Sequence, residues 1–271
     1  MVTYRIAGDQ FLIVKFGEVF SLKTNFTVIT LCERLRKLNI GGIRGVSTSV
    51  NAMMIHYDPF TITQDDLKSH IQRLTSMGDP EKEILRSRLF RIPVVYGDRW
   101  TQDCAADFNV SPNLDFVAAL NEMSVPELIE MHQSCTHWVA YIGFLPGLAS
   151  FVPIDPEKRI SAHKYDIPRT RTPQGTLGIG GILQCIYPMD SPGGYQMLGR
   201  TPLPIYDLNR CNPIFAADIV LFRPGDRISF YAISHEEFTA IEDDIGRYEY
   251  DITVEDWTIN DFPPEAEGQH V

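Results

Sequence analysis

Glycine and proline crowd the stretch from Trp138 to Ile233, and short apolar runs lie between them: WVAYIGF, LGIGGIL, QCIYP, YQMLGRT, DIVLF and RISFYAI. Both residues punctuate a chain at turns and sit badly inside helices. A stretch patterned this way reads as an all-β barrel or sandwich of short strands. The chain before Tyr96 has a different texture. Gln10–Gly17 alternates with period two, putting Phe11, Ile13 and Lys15 on one face and Leu12, Val14 and Phe16 on the other. From Thr24 the period lengthens to that of a helix, through Val28, Leu31, Leu35 and Leu38, with Gly41 and Gly42 as the stop. Ile43–Ser49 and Ala52–Tyr57 read as strands. Asp58 and Pro59 break the second, and a helix follows with Thr63 as N-cap and Leu67, Ile71, Leu74 and Met77 inward. Leu89–Tyr96 reads as another strand. The order strand, helix, strand, strand, helix, strand is the split βαβ, ferredoxin-like pattern. The expected fold class is α+β: a ferredoxin-like domain over residues 1–92, a β-barrel or β-sandwich domain over 93–262, and a disordered tail over 263–271.

Helices flank the β-rich stretch. Asp115–Met123 has Phe116, Ala119, Leu120 and Met123 on one face, and a second helix opens on the capping box Ser124-Val125-Pro126-Glu127. A last helix begins at Ser234 with Glu237 three residues on, carries Phe238, Ile241 and Ile245 as its stripe, and is expected to stop at Gly246.

Charge and cysteine usage exclude several classes. The 271 residues hold 24 Lys plus Arg against 35 Asp plus Glu, a net charge of -11, and no long basic run. That argues against a nucleic-acid or anionic-membrane partner. The five cysteines form no Cys-x-x-Cys, so no metal site and no disulfide framework is expected. The N-terminus lacks a signal-peptide pattern and no apolar run approaches a membrane span, which makes a cytoplasmic protein with reduced thiols the expectation. There is no P-loop, no G-x-S-x-G nucleophile elbow, no pair of adjacent serines for an amidase centre, and no Met-Lys-Met for biotin attachment. A catalytic role would need groups from a partner.

Three clusters carry chemistry. The first is His132 followed by YIGFLPG (residues 141–147). The second is PRTRTPQG (168–175) running into LGIGG (177–181). The third is Tyr187 followed by SPGGYQMLGRTP (191–202). Glycine admits close backbone approach, proline stiffens such loops, and arginine presents a planar fork to carboxylate or phosphate. Arg169, Arg171 and Arg200 would converge on one mouth to hold an anionic or amide ligand; the alternative is three surface arginines paired with acids. His132 has the ordinary pKa of a general base, or is a helix-end histidine satisfied by a carbonyl. Tyr187 and Tyr195 are pocket walls or barrel core. His137 and His163 receive no functional role.

Taken together and in this order, the clusters resemble the allophanate hydrolase subunit 1 family, which includes the 5-oxoprolinase B subunit, a bacterial sporulation-kinase inhibitor and part of the carboxyltransferase domain of urea carboxylase. GFLPG is similar to that family's GF-x-PG motif, PRTRTPQGTLGIGG to its PR-x-x-x-PxGSVGI segment, and SPGGYQMLGRTP to its SPGGWQ-x-x-GRT segment. Tyr195 stands where the oxoprolinase branch shows Trp, and Thr176-Leu177 where Ser-Val is usual. KYDIPRTRTPQGTLGIGG, CIYPMDSPGGYQ, FYAISHEEF and GRYEYDITVEDW lean towards the urea carboxylase branch; GFLPG and His132 lean towards the other. The resemblance implies a ferredoxin-like domain followed by a cyclophilin-like β-barrel. It also implies a subunit 2 partner and a small urea-type, amide or lactam substrate. No cofactor would be held covalently: biotin would be carried on a partner, with a biotin carboxyl carrier, or ATP would be used in the complex. The implied catalytic residues are His132, Arg169, Arg171 and Arg200. The implied substrate-binding residues are Phe144, Pro146, Gly147, Tyr187, Pro192, Gly193, Gly194 and Tyr195. Two further readings stay open: the 5-oxoprolinase B subunit, and a non-enzymatic inhibitor of a histidine kinase.

Overall fold

In a computed structural model, residues 2–78 and 85–259 are described. They fall in two compact units, the first running to Ser87 and the second spanning Arg88–Trp257. The expected tail beyond Phe262 lies outside the described residues.

The first unit holds β1 (Thr3–Ala7), β2 (Phe11–Lys15), α1 (Leu22–Lys37), β3 (Ile43–Thr48), β4 (Ala52–Tyr57) and α2 (Gln64–Ser76). Its antiparallel sheet has the order β1-β2-β4-β3. β2 and β3 therefore run parallel with β4 between them, which is the split βαβ arrangement. The edge beside β2 is taken by β1 and not by the strand expected at Leu89–Tyr96. A three-residue turn, Gly8–Gln10, joins β1 to β2, and closing so short a loop costs far less chain entropy than recruiting a strand from beyond α2. Leu12 and Val14, with Met53 and Ile55, bury against Val28, Leu31 and Leu35 of α1 and Leu67, Ile71 and Leu74 of α2. Both helix starts follow local chemistry. Ser21 accepts from the Thr24 N–H at 2.9 Å, and Thr63 forms a reciprocal capping box with Asp66.

The second unit contains β5 (Leu85–Tyr96), α3 (Arg99–Asp107), α4 (Asn113–Leu120), α5 (Val125–Gln133), β6 (Thr136–Ile142), β7 (Ala149–Pro153), β8 (Arg169–Thr172), β9 (Thr176–Gly180), β10 (Leu183–Ile186), β11 (Ser191–Gly193), β12 (Gln196–Arg200), β13 (Arg227–Ala232), α6 (His235–Gly246) and β14 (Val254–Ile259). The strands run β12-β9-β10-β7-β6-β13-β5, and pairing of β12 with β5 closes a seven-stranded barrel, with β14 added beside β5. β5 pairs parallel to β13 over Leu89–Val94 and antiparallel to β12 at Val95 and Tyr96. At that seam a side chain on Gly199 would lie 2.3 Å from the Val95 carbonyl oxygen, so only glycine lets the two backbones meet. Phe90, Ile92, Val94, Val139, Phe151, Leu177, Ile179, Leu198, Ile228 and Phe230 fill the core.

Several local expectations change. DIVLF is no strand; Val220 contributes one bridge to Tyr206. α3 and β7 occupy stretches for which the sequence pattern gave no element. α6 does run to Gly246, but the left-handed residue after it is Tyr248, at φ 63°.

Candidate functional site

β8 and β11 form a two-stranded ribbon apart from the barrel sheet, and the segment before β8 and the loop after β6 lie with it around a cavity of about 490 Å³. Its walls include Phe144, Tyr187, Pro192, Gly193, Gly194 and Tyr195, so most of the substrate-binding residues implied by the sequence share one cavity. Pro146 and Gly147 do not line it; a side chain on Gly147 would meet the Tyr206 Cβ at 2.7 Å, which makes that glycine a packing requirement. The glycines of LGIGG and SPGG likewise make room for tyrosine. A Cβ on Gly180 would lie 2.6 Å from the Tyr195 ring, and one on Gly193 2.3 Å from the Tyr187 hydroxyl and 2.7 Å from Thr172 Oγ1. Burial raises the pKa of both Tyr187 and Tyr195 well above the usual phenol value, so both stay protonated at neutral pH and act as donors or walls, not as bases. Phe144 stands at the cavity with φ 73° and its side chain 78% exposed, an uncommon backbone for a bulky residue. Two hydrogen bonds, Gly143 N–H to Leu148 O and Leu148 N–H to Leu145 O, hold its loop in that shape. Sequence reasoning assigned no site role to Lys164, Tyr165, Tyr141 or Ser150, which also line the cavity; Lys164 Nζ sits 5.2 Å from the Tyr195 ring centroid.

The three arginines do not converge. Arg169 is 1% exposed and faces inward. Its Nη2 donates to the Tyr195 carbonyl oxygen at 2.8 Å and to Thr172 Oγ1 at 3.3 Å, and its guanidinium lies 4.4 Å from the Tyr165 ring centroid. Arg171 is exposed and pairs with Asp190 at 3.0 Å. Arg200 donates through Nε to the Gln174 carbonyl at 2.7 Å and stacks against Trp100 and Phe238, at 4.8 and 5.3 Å. Arg171 and Arg200 share a separate cavity with Asp103, Asp107 and Asp190. The separation has a local cause. Ser191 pairs with Thr172 but Gly193 pairs with Arg169, so β8 holds one extra residue against β11. A bulge of this kind reverses the side-chain alternation, and residues two apart no longer share a face.

His132 is also elsewhere. It is buried inside the barrel and lines none of the cavities around the ribbon or α3. Its Nδ1 lies 2.7 Å from the Tyr96 hydroxyl and its Nε2 2.7 Å from Gln184 Oε1. An amide oxygen only accepts, so Nε2 carries the proton and Nδ1 accepts from Tyr96. Burial pushes its pKa down to about 4. It is a neutral, satisfied core histidine whose ring packs on His137 and Phe230. Of the two readings made from the sequence, the helix-end histidine satisfied by a carbonyl is the nearer: His132 lies in the last turn of α5 and the carbonyl is the side-chain amide oxygen of Gln184.

Among the described residues, no cluster of His, Cys, Asp or Glu could hold a metal ion, and no helix is long and apolar enough to cross a membrane.

Comparison with known proteins adds lineage to this geometry. Residues 2–216 match the profile described as "Carboxyltransferase domain, subdomain C and D". The chain is 32% identical over 268 residues to a urea amidolyase from Lachancea kluyveri, covering 94% of this chain and 14% of that protein. It is 26% identical to the 5-oxoprolinase B subunit of Bacillus subtilis, covering 90% of this chain and 98% of that one. The crystal structure of the Kluyveromyces lactis urea carboxylase superposes with a TM-score of 0.86 at 30% identity, over 96% of this chain and 24% of that one. The chain thus spans about a seventh of the urea amidolyase that it matches.

Proposed function

The chain belongs to the carboxyltransferase-domain family of subdomains C and D, and from that membership we propose that it forms one part of a carboxyl-transfer enzyme acting on a small urea-type nitrogen, with a subunit 2 partner supplying the rest of the site. The observation that carries this reading is the cavity beside the β8–β11 ribbon, where residues from three separate motifs meet: Phe144 from the first, Pro168 from the second, and Tyr187 with Pro192 to Tyr195 from the third. Its aromatic walls suit a planar, polar guest: the ring faces bury it, and the protonated phenols of Tyr187 and Tyr195 can donate to a carbonyl oxygen. Donors fixed before reaction stabilise charge as it develops on such an oxygen. Biotin carried on a partner would supply the activated carboxyl group; the residues of this chain bind and orient the acceptor and exclude water. With His132 sealed in the barrel and both phenols protonated, the group that takes the proton from the acceptor nitrogen comes from the partner. Similarity to the urea amidolyase supports the substrate class.

The second reading, a component of an ATP-dependent 5-oxoprolinase, is favoured by one observation: the 5-oxoprolinase B subunit of B. subtilis is matched over 98% of its length, so a free-standing chain of this extent exists in that enzyme. One experiment separates them. The chain is co-expressed with its subunit 2 candidate, a biotin carboxylase and a biotin carrier, and ADP release is followed with urea or 5-oxoproline. Urea-dependent turnover with bicarbonate is expected. Turnover of 5-oxoproline alone would establish the second reading, and turnover of neither would remove both.

A further inference from the structure

Arg169 is the only Lys or Arg in the fully buried set among the described residues. A guanidinium keeps its proton at any physiological pH, so the charge is permanent. Buried ions are held by counter-ions, because removing one from water without compensation is expensive. Arg169 has no such counter-ion among the described residues. Its two hydrogen-bond acceptors, the Tyr195 carbonyl and the Thr172 hydroxyl, are neutral, and so is the Tyr165 ring that it stacks on. Nε and Nη1 have no hydrogen-bond partner. Of the five N–H groups of the side chain, three are left without an acceptor.

Arg169 also lines a second cavity of about 730 Å³, which shares only Lys164, Tyr165 and Pro168 with the aromatic cavity. Lys164 places a further cation on the shared wall. The lining also includes the apolar side chains of Phe108, Phe116 and Ile167. Ile167 is 85% exposed and Phe116 38%, so apolar surface stands open beside an uncompensated cation. Asp166, on the same wall, is exposed and makes no ion pair among the described residues.

We propose that this second cavity is a carboxylate-binding site. An organic acid with a compact apolar or aromatic body sets its carboxylate at Arg169 and Lys164 and its body against Phe108, Phe116 and Ile167. The anion supplies the counter-charge that the fold omits. This goes beyond the urea-type reading, which concerns the other cavity and needs no free acid.

The test is calorimetric titration of the full-length chain with benzoate and hexanoate at fixed ionic strength, with benzamide and inorganic phosphate as comparators. Benzoate is expected to saturate, and benzamide to bind at least about tenfold more weakly, since a charge-assisted bond is lost. Lys164→Gln and Ile167→Asp, both at exposed positions and so compatible with folding, should each weaken benzoate at least about fivefold. Arg169→Lys, which keeps the charge and loses the planar fork, should weaken it further. Absence of saturable binding by either acid overturns the site. Binding of phosphate as tight as benzoate overturns the apolar part, and benzoate affinity unmoved by Ile167→Asp overturns the location. The titration involves no partner and no turnover, so its outcome is independent of the urea assay.

Discussion

Acid should loosen the barrel through His132. Its ring is sealed from water, and burial pushes its pKa down to about 4, against 6.5 in an unfolded chain. His137, 4.7 Å away ring to ring, is shifted in the same direction by burial and by His132 itself. The unfolded chain therefore binds more protons than the folded one between these pKa values. Stability is complete above pH 6.5 and is lost as pH falls towards 4. For His132 alone the linkage relation gives about 2 kcal/mol lost between pH 7.5 and pH 5. With a urea m-value of about 3 kcal/mol/M, the unfolding midpoint should fall by about 0.7 M from this residue. Trp138 is fully buried next to His137 in β6, so tryptophan fluorescence reads the barrel directly. The decisive comparison is the pH slope of the wild type with that of His132→Gln. Replacement lowers stability at pH 7.5, because the Tyr96 and Gln184 partners are disturbed, but it removes a titrating group and should flatten the slope by about 2 kcal/mol. An unchanged slope in the variant would refute the reasoning, since the acid sensitivity would then belong to other groups.

Other outcomes follow from the site geometry. Arg200→Ala should cost about 1–2 kcal/mol, from the lost stacking on Trp100 and Phe238 and the Gln174 bond, while Arg171→Ala should cost less than about 0.5 kcal/mol because its ion pair is exposed; chemical denaturation of both variants checks the contrast. Gly193→Ala must push the Tyr187 hydroxyl aside and should destabilise by about 1–3 kcal/mol, with the cavity reshaped in a crystal structure of the variant. Phe144→Gly removes an unfavourable backbone for a side chain and should raise Tm slightly, by about 1 kcal/mol of stability, while weakening guest binding at the cavity; a fall in Tm would show that the loop carries no such cost. Among the cysteines, Cys211 is exposed and the other four are buried, with burial pushing the Cys32 thiol up to about 12 and the Cys135 thiol up to about 11, so a thiol reagent should label one site rapidly in the native protein.

What the sequence discloses depends on how local the cause is. The N-cap at Thr63 and the capping boxes at Ser124 and Ser234 can be read from a few residues each, and all three are present, Thr63 with a reciprocal bond to Asp66 besides. Strand character at Leu89–Tyr96 is legible for the same reason, but its partners are not. β13 begins at Arg227, and no local pattern says that the strand leaves the first sheet for the barrel. The motifs marked the aromatic cavity because glycine and tyrosine had to be set together: Gly180 under Tyr195 and Gly193 under Tyr187. The arginines were misleading because one extra residue in β8, invisible in composition or spacing, turns Arg169 inward and Arg171 outward. Lys164 carries no glycine or proline signal of its own. A basic residue before IPR is unremarkable until the fold puts it on the wall shared by two cavities.

The parallel seam between β5 and β13 sets a timetable for synthesis. The sheet of the first unit has all its strands once Tyr57 has left the ribosome. The barrel has an open side until Ala232 has emerged, because β13 must slot between β6 and a strand made long before it. During that interval β5 offers bare amide and carbonyl groups along one edge, the kind of template on which unfinished chains stick to one another. Slow translation across residues 97–226 should therefore lower the yield of native protein, and a chaperone that shields β-edges should restore it.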